Sequence, residues 1–125
     1  MSETFKTIAL IGSGAMGEAV IGGLLRTGLT PAEHILASGP RAERGEELRE
    51  KYGVRPYTDN AAAARHADVV VLAVKPQKLK RALASLKGVL QPGALVISIV
   101  AGAAIKTLQE GLEHTPVVRC MPNTP

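Results

Sequence analysis

Three glycines spaced for phosphate chemistry lie near the start of the chain, in Ile11-Gly12-Ser13-Gly14-Ala15-Met16-Gly17. The run Thr7 to Ile11 before them is suited to a strand, and Ala15 to Thr27 after them is suited to a helix. A strand that turns through glycines into a helix leaves unpaired N–H groups at the positive end of the helix dipole. Those groups attract the diphosphate of a dinucleotide. Each glycine has its own task. Gly12 permits the tight turn, Gly14 lets the pyrophosphate approach the backbone, and Gly17 lets the helix pack close to the strand. A glycine-rich turn with no ligand has the same letters, but the strand before it and the helix after it favour the binding turn.

The choice between NAD and NADP chemistry is read at the end of the second strand. An NAD site tends to carry Asp or Glu there, about 20 residues past the glycines, to accept the ribose 2′-hydroxyl. This chain has Ser38-Gly39-Pro40-Arg41, with no carboxylate between His34 and Ala42. Arg41 can offer a charge-assisted fork to a 2′-phosphate, and Gly39 a backbone N–H. Arg44, one turn further on, reads as part of a solvated helix face. The expected cofactor is NADPH, with NADH left as the alternative.

The elements that must position these groups alternate short apolar runs with helical stretches, the pattern of βα units and a parallel sheet. The expected strands are Thr7 to Ile11, His34 to Ser38, Val54 to Tyr57, Asp68 to Val74, Leu95 to Val100 and Val117 to Cys120. The expected helices are Ala15 to Thr27, Arg41 to Tyr52, Ala61 to His66 (capped by Asp59 or Asn60), Lys75 to Val89 and Ala104 to Leu112. Gly28 and Gly53 are placed to close the first two helices. Right-handed crossovers then give a doubly wound Rossmann-type sheet of order 3-2-1-4-5-6 in three α/β/α layers. Its ligand crevice lies at the C-terminal ends of the strands.

Composition sets the bounds. The chain has 125 residues, 46% hydrophobic and 21% charged, which suits one globular domain spanning residues 1–125. No apolar run reaches the roughly 18 to 20 residues of a membrane span, and MSETFK lacks the features of a secretory signal. A cytoplasmic location is expected. Lys and Arg outnumber Asp and Glu by 15 to 11, with no Trp, two Tyr and one Phe. That balance suits a small anionic ligand and offers neither the basic stripe nor the stacking platform of nucleic-acid binding. Cys120, the single cysteine, reads as a buried apolar residue, and no Cys/His cluster has metal-site spacing.

Three more segments fall at the expected ligand edge: AVKPQ (Ala73 to Gln77), SIVAGA (Ser98 to Ala103) and RCMPNTP (Arg119 to Pro125). With IGSGAMGEA (Ile11 to Ala19), they make the whole chain similar to the cofactor domain of pyrroline-5-carboxylate reductases, which complete proline synthesis. The resemblance implies hydride transfer from NADPH to the carbon–nitrogen double bond of 1-pyrroline-5-carboxylate. It also implies roles by position. Ile11, Gly12, Ser13, Gly14, Ala15 and Met16 would wrap the pyrophosphate, while Ser38 and Gly39 would meet the adenosine ribose and its phosphate. This family often carries a hydroxyl residue where this chain has Gly39, so a side-chain contact is lost there. Asn60 would lie near the adenosine half. Ala73, Val74, Lys75, Pro76, Ala101 and Gly102 would flank the ribose and nicotinamide. Met121, Asn123 and Thr124 would lie beside the nicotinamide, where the cyclic imine stacks.

No catalytic residue emerges. His34, His66 and His114 precede strands, which puts them at the surface of the edge away from the crevice. Lys75 sits at the correct edge, where it either attracts an anion or simply ends a buried strand. Pro76 is explained as a first helical residue, and Asn123 and Thr124 suit local turn chemistry equally well. In the resembling family a helical C-terminal domain forms the dimer and supplies much of the substrate site. This chain lacks it, so the expectation is a fragment that binds cofactor and reduces imine very slowly or not at all. A homo-oligomer is expected only of the complete enzyme. The rival expectations are the cofactor domain of another NADP-dependent reductase, such as a hydroxyacid dehydrogenase relative, and a dinucleotide-binding module without catalysis.

Overall fold

The structure, a computed structural model, describes residues 6–120. Six strands form one sheet: β1 (Ile8–Ile11), β2 (Ile35–Ser38), β3 (Arg55–Tyr57), β4 (Val69–Leu72), β5 (Leu95–Ser98) and β6 (Val117–Arg119). They are parallel and ordered β3-β2-β1-β4-β5-β6, the expected order. The helices are α1 (Ala15–Thr27), α2 (Ala42–Tyr52), α3 (Asn60–Ala64), α4 (Leu79–Leu86) and α5 (Ile105–Leu112).

The apolar runs are continuous because both faces of the sheet are covered. In β1, Ala9 and Ile11 enter a core with Leu72, Leu86 and Leu108, whereas Ile8 and Leu10 enter the opposite core with Ile21, Ile35 and Leu48. Helices α3, α4 and α5 therefore cover one face, and α1 and α2 the other. Gly28 and Gly53 close α1 and α2 as expected.

Several boundaries differ from the sequence expectation. Asp59, rather than Asn60, caps α3: its Oδ1 accepts from the Ala61 N–H at 3.0 Å, and the helix runs from Asn60 only to Ala64. The expected helix from Lys75 begins as a 3₁₀ turn at Pro76–Lys78, becomes α4 at Leu79, and stops at Leu86, before Gly88 adopts φ +73°. The second strand starts at Ile35, because Ala32–His34 forms a 3₁₀ turn. Cys120 is exposed, not buried. It follows β6, which forms one edge of the sheet and leaves Val118 about half exposed as well.

Packing of α1 against the sheet depends on Gly17. A Cβ there would strike the Gly12 carbonyl oxygen and lie 3.4 Å from Leu10 Cδ2. Helix α1 is tied to α2 by charge: the Glu18 carboxylate accepts from Arg44 Nη2 at 2.7 Å, Lys51 Nζ at 2.8 Å and Tyr52 OH at 2.7 Å. Lys51, Tyr52 and Arg44 together hold the Glu18 carboxyl down to about 2.

Two outcomes follow. Alanine at an unconstrained helical glycine stabilises by about 1 kcal/mol, but Gly17→Ala drives a methyl into backbone that cannot rotate away. It should destabilise by about 1–3 kcal/mol. Urea unfolding decides the sign, and a midpoint at or above that of the parent chain contradicts the packing account. For Glu18 the folded pKa is depressed, so its stabilisation is full above the ordinary value of 4.5 and is lost as pH falls towards about 2. The difference in melting temperature between the parent chain and Glu18→Gln should therefore shrink across that window. A constant difference removes the carboxylate from the account.

Candidate cofactor-binding site

The register lines up the last residues of the strands, Tyr57, Ser38, Ile11, Leu72, Ser98 and Arg119, along one edge. The ladder continues one residue beyond them. Gly12 N–H donates to the Ser38 carbonyl at 2.9 Å, Gly39 N–H to Tyr57 at 3.0 Å, Ala73 N–H to Ile11 at 2.8 Å and Ile99 N–H to Leu72 at 3.0 Å. The segments after β1, β2 and β4 are thereby held side by side. The crevice at this edge opens between β1 and β4, where the strand order reverses.

Gly12 turns the chain there with φ +111°, and a Cβ on it would lie 2.6 Å from the Ala73 carbonyl oxygen. Gly14 is the N-cap of α1 and makes no side-chain cap bond. The first intrahelical bond is Glu18 N–H to Gly14 at 2.9 Å, so the amides at the head of the helix are left uncapped by the chain. Nothing lies within 4 Å of where a Gly14 Cβ would project. That space is an open cradle at the positive end of a 13-residue helix, and it fits a diphosphate.

Two adjoining clefts surround the corner. One, of about 320 Å³, is lined by Gly12, Ser13, Gly14, Pro40, Arg41, Arg44, Ala73, Val74, Lys75 and Lys78. The other, of about 450 Å³, reaches from Ile11, Ser38 and Gly39 across Asn60 to Arg81 and Ser85. Five cations border the pair (Arg41, Arg44, Lys75, Lys78 and Arg81) against one carboxylate, Asp59, which is engaged in capping α3. The charge balance favours an anionic ligand. Among the described residues, none that lines the first cleft is an imidazole or a carboxylic acid.

Of the expected site residues, Ile11, Gly12, Ser13, Gly14, Ser38, Gly39, Arg41, Asn60, Ala73, Val74 and Lys75 line these clefts. Ala15, Met16, Pro76, Ala101 and Gly102 lie exposed at the same sheet edge without lining either one. Met121, Asn123 and Thr124 lie outside the described residues. The histidines fall at the opposite edge, as expected. Only His66 is exposed there, however: His34 and His114 are half-buried, and His114 Nε2 sits 2.6 Å from the Ala94 carbonyl oxygen. Among the described residues no group of three His, Cys, Asp or Glu could hold a metal ion. Among the described residues no helix is long and apolar enough to cross a membrane.

Three details depart from the sequence reading. Arg44 does not belong to a solvated face. Its side chain is only 19% exposed, and its Nε donates to the Ser13 carbonyl at 2.7 Å while Nη2 binds Glu18. It fastens the glycine corner from α2, a contact invisible in sequence because its partners lie 31 and 26 residues away. The Gly39 N–H is not on offer to a phosphate, since the ladder to Tyr57 uses it. The buried Ser38 hydroxyl is turned inward too, donating to Asn60 Oδ1 at 2.7 Å, and Asn60 Nδ2 donates to Ser85 Oγ at 3.0 Å. Lys78 and Arg81 were missed altogether. Their spacing of three residues on the helical segment after AVKPQ was the available signal.

Comparison with known proteins agrees with this geometry. The chain is 42% identical over 123 residues to a pyrroline-5-carboxylate reductase of Corynebacterium melassecola, an alignment covering 95% of this chain and 45% of that protein. Among solved structures, a pyrroline-5-carboxylate reductase from Coxiella burnetii superposes with TM-score 0.89 at 35% identity, covering 98% of this chain and 46% of the other. The Plasmodium falciparum pyrroline carboxylate reductase with NADP bound superposes with TM-score 0.79 at 30% identity, covering 96% and 43%. The chain thus spans less than half the length of the relatives it matches. The family model described as NADP oxidoreductase, coenzyme F420-dependent, matches residues 7–102, and the chain belongs to that family.

Proposed function

We propose that this chain is the NADPH-binding part of a pyrroline-5-carboxylate reductase, occupying residues 1–125 as one domain. The observation that carries this reading is the open cradle at Gly14, set at the head of α1 and bordered by cations. The similarity to pyrroline-5-carboxylate reductases, one of them with NADP bound, supports both the reaction and the cofactor.

In this reading the diphosphate rests on the amides following Gly14, with Ile11 to Met16 wrapped about it. The adenosine lies in the second cleft, against the wall that Ser38 and Asn60 form, and Arg41 contacts its 2′-phosphate. The nicotinamide supplies the hydride that reduces the carbon–nitrogen double bond of the cyclic imine. Ala73 to Pro76, together with Ala101 and Gly102, flank that end. Met121, Asn123 and Thr124 complete the side where the imine stacks. The chain's contribution is to hold the two rings in contact and keep water away. No described residue of the first cleft is an acid or imidazole that could protonate the imine. Purified 125-residue chain with NADPH and 1-pyrroline-5-carboxylate is therefore expected to form no measurable proline.

Calorimetric titration of NADPH and NADH separately tests the cofactor reading. NADPH should bind more tightly, and Arg41→Ala should weaken it roughly tenfold, the worth of one exposed charge-assisted contact. NADH affinity should stay within about twofold of the parent's, since it has no phosphate for Arg41 to meet. Equal affinity of the parent chain for both cofactors defeats the 2′-phosphate argument, and binding of neither defeats the whole reading.

A further inference from the structure

We propose that the groove between α4 and α5 docks an acidic amphipathic helix of a partner protein. The groove shares no lining residue with either cofactor cleft, so the assignment stands apart from the NADPH reading.

Its shape comes from small residues where two helices meet. Leu83, Leu86, Leu108 and Leu112 join α4 and α5 in one core. Gly111 lets them approach closely, because a Cβ there would lie 2.9 Å from Leu83 Cδ1. Ala84 on α4 and Thr107 on α5 are exposed and short, so neither fills the space between the helices. A furrow of about 560 Å³ remains over Leu79 and Leu83, larger than either cofactor cleft. A concave apolar floor between two helices suits a third helix, whereas a flat bilayer would not enter it.

Charge selects the kind of helix. From Val69 to Gln109 the chain carries six cations and no Asp or Glu. Lys75, Lys78 and Arg81 border the cofactor clefts, but Lys80 and Lys87 stand along the furrow. No described residue lining the furrow is a carboxylate. Lys80 is exposed and makes no ion pair among the described residues. Lys87 Nζ meets Glu113 Oε2 only at 3.9 Å, with both side chains more than half exposed, a contact that contributes little. The two lysines lie seven residues apart, or roughly 10 Å along the helix axis. A partner helix with carboxylates at i and i+7 matches that separation. Apolar residues at i+3 and i+4 then fall on the same face, between the two ion pairs and over Leu79 and Leu83.

The test uses three synthetic peptides of about 15 residues, long enough to form a helix on binding. The first has Glu at i and i+7 and Leu at i+3 and i+4. The second replaces both Glu by Lys, and the third replaces both Leu by Ser. Each is titrated at low salt into isotope-labelled chain and followed by NMR. The first peptide should bind saturably, shift the amide signals of Leu83, Ala84, Thr107 and Gly111, and bind about tenfold more tightly than either other peptide. Its affinity should fall as salt is added. In Lys80→Glu/Lys87→Glu the order of the acidic and basic peptides should reverse. Lys80→Glu alone, which breaks no described ion pair, should narrow their difference to about threefold. Absence of saturable binding overturns the proposal, as does equal affinity for the acidic and basic peptides. Shifts centred on Gly12 to Gly14 also overturn it, since they mark attraction to the cofactor clefts instead. Uptake of the chain by phosphatidylserine vesicles without any peptide binding assigns the basic face to a membrane and overturns it too. NADPH titration of the same chain reports on the cofactor reading separately.

Discussion

The contact between Gly17 and the Gly12 carbonyl is the constraint on which the rest of the structure depends. It lets α1 start directly against the end of β1, close enough that one methyl group would force the two apart. With α1 so placed, its uncapped amides face the crevice where the strand order reverses, instead of facing solvent above the sheet. A helix standing off by even a side chain's width would keep its dipole and lose the cradle, because amide–phosphate contacts weaken steeply beyond hydrogen-bonding distance.

A corner of small residues has few side-chain contacts of its own, and its rigidity comes from neighbours. Gly12 is held on both sides, by its bond to Ser38 and by the close approach of Ala73. The Ser13 carbonyl is held from α2 by Arg44, whose charge is balanced by Glu18. Glu18 is thus more than a surface anion on the first turn of α1. By drawing Arg44, Lys51 and Tyr52 together, it turns one cation inward to the glycine corner. The carboxylate lines neither cleft, and its charge is balanced by Arg44 and Lys51.

Polar groups at the sheet edge divide in the same way between holding the fold and meeting a ligand. Ser38, Asn60 and Ser85 form a hydrogen-bonded chain from β2 through α3 to α4, which fixes the wall of the second cleft. Those groups shape that cleft, whereas Lys78 and Arg81 remain around it, and Arg41 and Lys75 around the first. The resulting surface is strongly anion-attracting at a place where the backbone itself is small and open.

The sequence by itself determined the sheet order, the glycine turn between β1 and α1, the extent of α1 and the edge that carries the two clefts. Such features follow from local periodicity and from the right-handedness of βα crossovers, both of which are written in neighbouring residues. Eleven of the expected cofactor residues line the two clefts for the same reason: they lie at strand ends, and strand ends share one edge. Only the tertiary structure decided what each polar group does there. Arg44 turns inward because Glu18 and the Ser13 carbonyl are within its reach, the Gly39 amide is consumed by Tyr57, and Cys120 is exposed because β6 is an edge strand. The first two outcomes depend on partners 18 or more residues away and the third on the place of β6 in the sheet, and hydrogen bonds and burial are settled by distance in space, which local pattern does not encode.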